Sequence, residues 1–175
     1  MPVPRRVRAT AAAMDLLRRL RDAHGPLMLH QSGGCCDGSA PMCYPAGEFI
    51  IGDRDVLLGV LDLRLRAGDP SLTLPDPEDA VQVWISGPQF DAWRHTQLVL
   101  DAVPGRGAGF SLEAPEGMRF LTRGRVFAPA ERSALEASEP TTGAAWEQGH
   151  RPTLTATEPQ VVAHAIDACP IPGRT

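Results

Sequence analysis

The densest group of chemically capable side chains is the run His30-Gln31-Ser32-Gly33-Gly34-Cys35-Cys36-Asp37-Gly38, which continues through Cys43 to Tyr44. Thiolate and imidazole ligands together favour Fe, Zn, Cu or an iron–sulfur unit over Mg or Ca. Gly33, Gly34 and Gly38 let the backbone turn sharply and come close to a bound group. The spacing H-x4-C-C-x6-C departs from zinc-finger patterns, whose paired ligands sit two to four residues apart. Adjacent cysteines tend to diverge, so one of Cys35 and Cys36 is expected to face a shared site. Three readings fit the loop: a metal or cluster site, a reactive thiol used in redox, persulfide or nucleophilic chemistry, and buried small side chains packing a tight turn. His95 follows Trp93-Arg94, and it is a candidate for a further ligand or acid–base group. Its alternative is to cap the last carbonyls of a helix. The candidate metal set is therefore Cys35, Cys36, Cys43, His30 and His95, with Cys35 and Cys36 also the candidate catalytic thiols.

Other constellations are weaker. Gly105-Arg106-Gly107-Ala108-Gly109 lacks the Gly-Lys-Ser/Thr ending of a phosphate loop and falls between two strands, so a hairpin turn is expected. Glu113 and Glu116 flank Pro115 and Asp101 lies on a strand, a weak basis for a general-base pair. No Ser-His-Asp order or nucleophile elbow is evident. His24, His150 and His164 have no supporting context, and Cys169 has no visible partner.

The elements that must position the loop are legible in part. Residues 10–24 carry Ala13, Leu16, Leu17 and Leu20 at helical spacing, and Gly25-Pro26 stops the helix. Leu27–Gln31 reads as a strand delivering His30 to the loop. Glu48–Ile51 reads as a second strand, and Val56–Arg66 as a third, with Leu61, Leu63 and Leu65 on one face and Asp62, Arg64 and Arg66 on the other. Residues 67–79 are a loop. Val81–Ile85 is the next strand. Ser86-Gly87-Pro88-Gln89 has the form of a capping box and opens a short helix, Gly87–Arg94, burying Phe90 and Trp93. Strands are expected over Thr96–Val103, Phe110–Glu113 and Met118–Phe127, with a weak helix near Pro129–Ala137. The expected fold class is α+β, mostly antiparallel β, with an N-terminal helix and one short internal helix. The expected organisation is an N-terminal helix and leader over 1–23, one globular domain over 24–127, and a mobile or loosely docked tail over 128–175.

Composition bounds the function. The chain has 175 residues, enough for one domain with tails, and 43% of them are hydrophobic, enough for a real core. A net charge of −4 gives no reason to expect nucleic acid or an anionic membrane as partner. All 17 basic residues are Arg, and neither Lys nor Asn occurs, as a GC-rich bacterial genome would produce. The absence of Lys excludes Schiff-base and lysine-base chemistry. No apolar run reaches the ~18 residues of a membrane span. The Arg5-Arg6 pair is not followed by the apolar stretch of an export signal, so a cytoplasmic setting with reduced thiols is expected.

The segments HQSGGCCDGSAPMCYPAGEF (30–49), WISGPQF with W and HTQL (84–98) and DAVPGRGAGFSLEAPEGMRFLTR (101–123) resemble the uncharacterised bacterial family called domain of unknown function 779. The resemblance spans about residues 24–127. Members are often encoded beside aldehyde dehydrogenase genes, which implies an accessory role in aldehyde or alcohol oxidation and an aldehyde dehydrogenase as partner. A looser similarity, in the order of a Gly-Gly-Cys turn, a Gly-Pro-x-Phe element and Gly-x-Gly-Phe-Ser-Leu-Glu, is to the A-type iron–sulfur carriers, implying a HesB-like sheet or sandwich. Those carriers end in a Cys-Gly-Cys pair. Here the matching end, Leu121-Thr122-Arg123-Gly124-Arg125, has no thiol.

These readings converge on a small metal- or thiol-dependent accessory protein of aldehyde and alcohol oxidation centred on the Cys/His loop. A stand-alone metalloenzyme acting on a small aldehyde or thiol adduct is the alternative, and a metal-free structural interaction module is the third. Short exposed edge strands are compatible with a homo-dimer.

Overall fold

The structure, a computed structural model, describes residues 3–33, 40–71, 73–106, 109–152 and 158–168. The chain opens with strand β1 (Val7–Thr10) and helix α1 (Ala11–His24), then strands β2 (Leu27–Gln31), β3 (Met42–Pro45), β4 (Val56–Asp62) and β5 (Ala80–Ile85). Helix α2 (Gly87–Trp93), strands β6 (Thr96–Pro104) and β7 (Met118–Val126) and helix α3 (Pro129–Glu136) follow. Strand β8 (Thr141–Thr142), helix α4 (Gly143–Glu147), strand β9 (Val161–Val162) and helix α5 (Ala165–Ala168) complete it.

The strands form two sheets, β7-β6-β1-β9 and β3-β2-β5-β4-β8. The α+β class stands, and an amphipathic helix lies near the N-terminus as its spacing requires. Both sheets are mixed, so the mostly antiparallel expectation is met only in part: β2–β3, β4–β5, β4–β8 and β6–β7 are antiparallel, while β1 runs parallel to β6 and β9 and β2 to β5. Those pairings join residues far apart in sequence, which local alternation does not encode.

Helix α1 lies against the main core. Ala13, Met14, Leu16, Leu17 and Leu20 are buried together with Val7 and Ala9 of one sheet and Leu27, Leu29 and Val83 of the other. Full burial of each leucine contributes about 1.5–3 kcal/mol. Thr10 caps the helix by accepting from the Ala13 N–H at 3.2 Å and donates its own hydroxyl to Asp101 Oδ1 at 2.8 Å, tying α1 to β6. Gly25, at φ 83°, ends the helix and its N–H closes on the Arg21 carbonyl.

Several local expectations are corrected. Glu48–Ile51 forms no strand; the strand at that point is β3, and Phe49 folds back onto Tyr44 with ring centroids 4.8 Å apart. Phe110–Glu113 is a turn, with Phe110 fully out in solvent. The third strand stops at Asp62, where Arg18 takes over the Leu63 and Leu65 carbonyls. Ser86 makes no side-chain cap on α2; its hydroxyl donates to the Ser32 carbonyl instead. Phe90 is buried as expected, whereas Trp93 is exposed.

Within residues 1–23, read from sequence as leader and helix, β1 lies inside a sheet between β6 and β9. The segment after Phe127 is joined to the rest through β8 on β4 and β9 on β1, and Trp146 of α4 meets Trp84 edge-on at 5.9 Å. The paired strand edges and the apolar indole contact supply the docking.

Candidate functional site

His30 is the residue on which the site is built. It is the fourth residue of β2, flanked in register by Met42 of β3 and Trp84 of β5. Its ring is 3% exposed overall and packs against Phe49 at 4.3 Å. Both ring nitrogens are engaged: Nε2 with Asp55 Oδ2 at 2.9 Å and Nδ1 with Ser32 Oγ at 2.7 Å. A carboxylate accepts and does not donate, so Nε2 carries the hydrogen, and in the neutral ring Nδ1 accepts from the Ser32 hydroxyl. Ser32 lies two residues on from His30, on the same side of the strand line, and is exposed. The result is a chain of hydrogen bonds from a half-buried carboxylate, through a buried imidazole, to a hydroxyl at the surface. Sequence order had suggested no Ser-His-Asp group, and this one, from Ser32, His30 and Asp55, was missed. Its Asp comes from a turn 25 residues away whose closeness only the β2–β5–β4 pairing establishes.

Asp55 is fixed from several directions. The same Oδ2 accepts the Gly52 N–H at 2.9 Å, and the Asp55 carbonyl accepts the Gly143 N–H at 2.8 Å. Gly143, at the start of α4, rests on the Gly52 carbonyl so closely that a Cβ there would collide with its oxygen. The segment after Phe127 therefore helps hold the acidic end of the chain.

At the other end stands Gly33, with φ 80° and a Cβ position 2.7 Å from the Gln89 side chain. The positive φ favours glycine, and a side chain there would displace the end of Gln89. Gln89 Oε1 is buried there and has no hydrogen-bond partner among the described residues. In sequence Gln89 carries only the signal of a capping box, which does not mark this position.

Cys35, Cys36 and Asp37, with Gly34, Gly38 and Ser39, lie outside the described residues, as does Cys169. Cys43 is described, and it serves the opposite face of the sheet. It is paired in register with Leu29, is fully buried in the core with α1, and alternates with Met42, the neighbour of His30. Burial first, and Glu113 second, push its thiol far above the usual cysteine range. That thiol stays protonated, which is unsuited to ligation or attack. Ser111 accepts the Cys43 N–H at 2.8 Å and gives its hydroxyl to Glu113, whose own carboxyl is raised by burial. His95 is exposed at the entry to β6, where its carbonyl accepts the Phe127 N–H. His30, Cys43 and His95 are therefore not brought together. Among the described residues, no group of three or more His, Cys, Asp or Glu is arranged to hold a metal ion.

Every element that frames His30, from β2 through β7, falls inside the stretch that a family model matches, residues 16–126. Its description is Domain of unknown function (DUF779). The chain belongs to the DUF779 family. No curated protein and no solved structure matches it. Within the DUF779 stretch lie His30, Ser32, Asp55 and Gln89, together with Cys35, Cys36 and Cys43. Gly143, which braces Asp55, lies beyond it. No helix among the described residues of this DUF779 protein is long and apolar enough to cross a membrane.

Proposed function

We propose that this DUF779 protein is a small metal- or thiol-dependent accessory protein of aldehyde and alcohol oxidation, in which His30 serves the Cys35–Cys36 loop. The observation that carries the reading is the Asp55–His30–Ser32 chain, which ends immediately before Gly33 and the loop. A metal-binding histidine characteristically gives its second ring N–H to a carboxylate, which fixes the tautomer and strengthens the ligand. Asp55 fills that position, leaving Nδ1 directed at Ser32 and the loop side. Two uses follow. Nδ1 would hold Fe, Zn or Cu together with Cys35 or Cys36, or it would accept a proton from one of those thiols and leave it as a thiolate. In both, Cys43 remains structural, and the protein acts in the cytoplasm on a partner such as an aldehyde dehydrogenase, as a monomer or homo-dimer.

The alternative of a stand-alone metalloenzyme acting on a small aldehyde or thiol adduct draws on Gln89 Oε1, a buried acceptor with no partner among the described residues. Turnover by the purified protein without a partner would favour it.

Elemental analysis of protein purified without a His tag, beside Cys35→Ser/Cys36→Ser and Asp55→Asn variants, tests the main reading. Near-stoichiometric metal in the wild type, lost in the double variant and weakened about 10–100-fold in affinity by Asp55→Asn, is the expected metal outcome. In metal-free protein, the expected thiol outcome is slower alkylation of Cys35 and Cys36 at neutral pH in a His30→Gln variant. A metal-free protein whose alkylation rates ignore His30 would sink the proposal.

A further inference from the structure

A cavity of about 110 Å³ lies where the end of α2 and the start of β6 face α3 and the segment after it. None of its lining residues belongs to the His30 site. Four basic side chains line it: Arg94 and His95 from the α2–β6 junction, Arg132 from α3, and Arg6 from the segment before β1. Leu135, one helical turn on from Arg132 and buried, lines it as well.

Two of these guanidiniums are held on one ring. Arg6 lies 5.0 Å from the Phe90 centroid, and Arg94 lies 5.5 Å from the same centroid. Arg6 Nη1 also donates to the Arg94 carbonyl at 3.3 Å, which seats its guanidinium against a residue that lines this cavity. A phenyl face attracts a cation but cancels none of its charge. Among the described residues, Arg6, Arg94 and Arg132 form no ion pair, and the Arg94 and Arg132 side chains make no hydrogen bond. Other arginines of the chain are closely matched, Arg125 with Glu131 at 2.7 Å and Arg64 with Asp62 at 2.8 Å. Glu136 and Glu139 also line the cavity, yet both are exposed and neither is ion-paired. Three guanidiniums without a carboxylate partner, brought from three parts of the chain, thus border one small space. An anion placed among them would relieve their mutual repulsion.

Size and donor number narrow the anion. The space is several times the ~30 Å³ of one water and well below the about 300 Å³ at which sites for larger small molecules begin. A carboxylate offers two oxygens, enough for one guanidinium fork. A phosphate offers at least three strong acceptors set tetrahedrally, and it takes donors from several directions. We propose that this cavity binds a phosphate group, of inorganic phosphate or of a phosphomonoester, between Arg6, Arg94 and Arg132. Arg6 and Arg132 lie outside residues 16–126 and Arg94 lies inside them, so the bound group ties both flanking segments to the family domain.

Calorimetric titration and thermal melts of the full chain test it, with inorganic phosphate, phenyl phosphate and acetate each compared with sodium chloride at equal ionic strength. One phosphate group per chain is expected, with a melting temperature that rises as the ligand concentration passes its dissociation constant. Arg132→Gln and Arg94→Gln are each expected to weaken phosphate about tenfold or more. Arg19→Gln, which removes a charge from the exposed side of α1, is expected to leave the affinity unchanged. Tighter phenyl phosphate would support the site with a phosphomonoester as its ligand, and tighter inorganic phosphate would support it with the free ion. No phosphate effect beyond that of chloride, an affinity unchanged by Arg132→Gln, or equal losses in all three variants would overturn the proposal. Acetate binding as tightly as phosphate would overturn the phosphate assignment.

Discussion

His30 and Cys43 lie on adjacent strands, yet the pleat sends them to opposite faces, and their chemistry diverges accordingly. His30 meets polar partners at an opening, while Cys43 is sealed in the main core beside Glu113. In a variant with Cys35, Cys36 and Cys169 replaced by Ser, the remaining thiol is therefore expected to resist a disulfide-exchange reagent until denaturant is added. Fast reaction of the native protein would contradict its burial. Glu113 makes a second prediction at this scale. Its carboxyl is raised above the ordinary value of 4.5, chiefly by burial, so the folded chain holds this proton more tightly than the unfolded chain. Its contribution to stability is then largest in acid and declines as pH rises through the interval from 4.5 to the raised folded value. Urea midpoints measured from about pH 4 to 7 should fall across that interval in the wild type, with the trend flattened by Glu113→Gln. Residue type alone marked His30 and the cysteines as candidates. It could not say which face each occupied, because Met42–Pro45 was not recognised as a strand. Asp55 and Gln89 escaped notice because their roles depend on neighbours brought in by pairing.

Helix α4 shows how a short element acts through its backbone. Gly143 donates its N–H to the Asp55 carbonyl, Ala144 donates to the Asp53 carbonyl, and the Thr142 hydroxyl accepts the Ala145 N–H as the cap. Gly143→Ala places a methyl group against the Gly52 carbonyl and forces the two segments apart. The expected loss is about 1–3 kcal/mol in a denaturant melt, the usual range for overpacking. The same substitution should alter the His30 ring resonances in NMR, since it moves the turn that carries Asp55. A shifted midpoint with unchanged His30 resonances would mean that α4 supports the fold and not the dyad. Elements with strong internal periodicity, such as α1, β2, β5 and β6, were readable from sequence. Strands β1, β8 and β9 were not, since two to four residues carry too little alternation and their partners lie far along the chain.

Across the whole molecule, the segments flanking the family stretch complete both sheets. β8 covers β4, β9 covers β1, and Gln160 reaches into the interior to accept the Asp62 N–H at 2.9 Å and donate to the Asp62 carbonyl at 3.2 Å. Deleting residues 128–175 would uncover Leu57, Trp84 and Val99, all now buried. A chain ending at residue 127 is expected to melt at lower temperature and to bind a hydrophobic dye, and an unchanged melt would show that the family stretch is self-sufficient.

The pairing of β1 with β6 on one side and β9 on the other also governs when the molecule can finish folding. Ala9 lies opposite Leu100 and Val161, so a strand made among the first residues must wait for partners synthesised long afterwards. While the ribosome is still working, β1 presents an open strand edge, and α1 lacks much of the surface it will cover. Such distant pairings slow the closing step, because the entropy of a long loop is lost before any contact rewards it. Closure of this sheet therefore waits for Val161 and Val162, and until they arrive β1 carries an edge exposed to other strands.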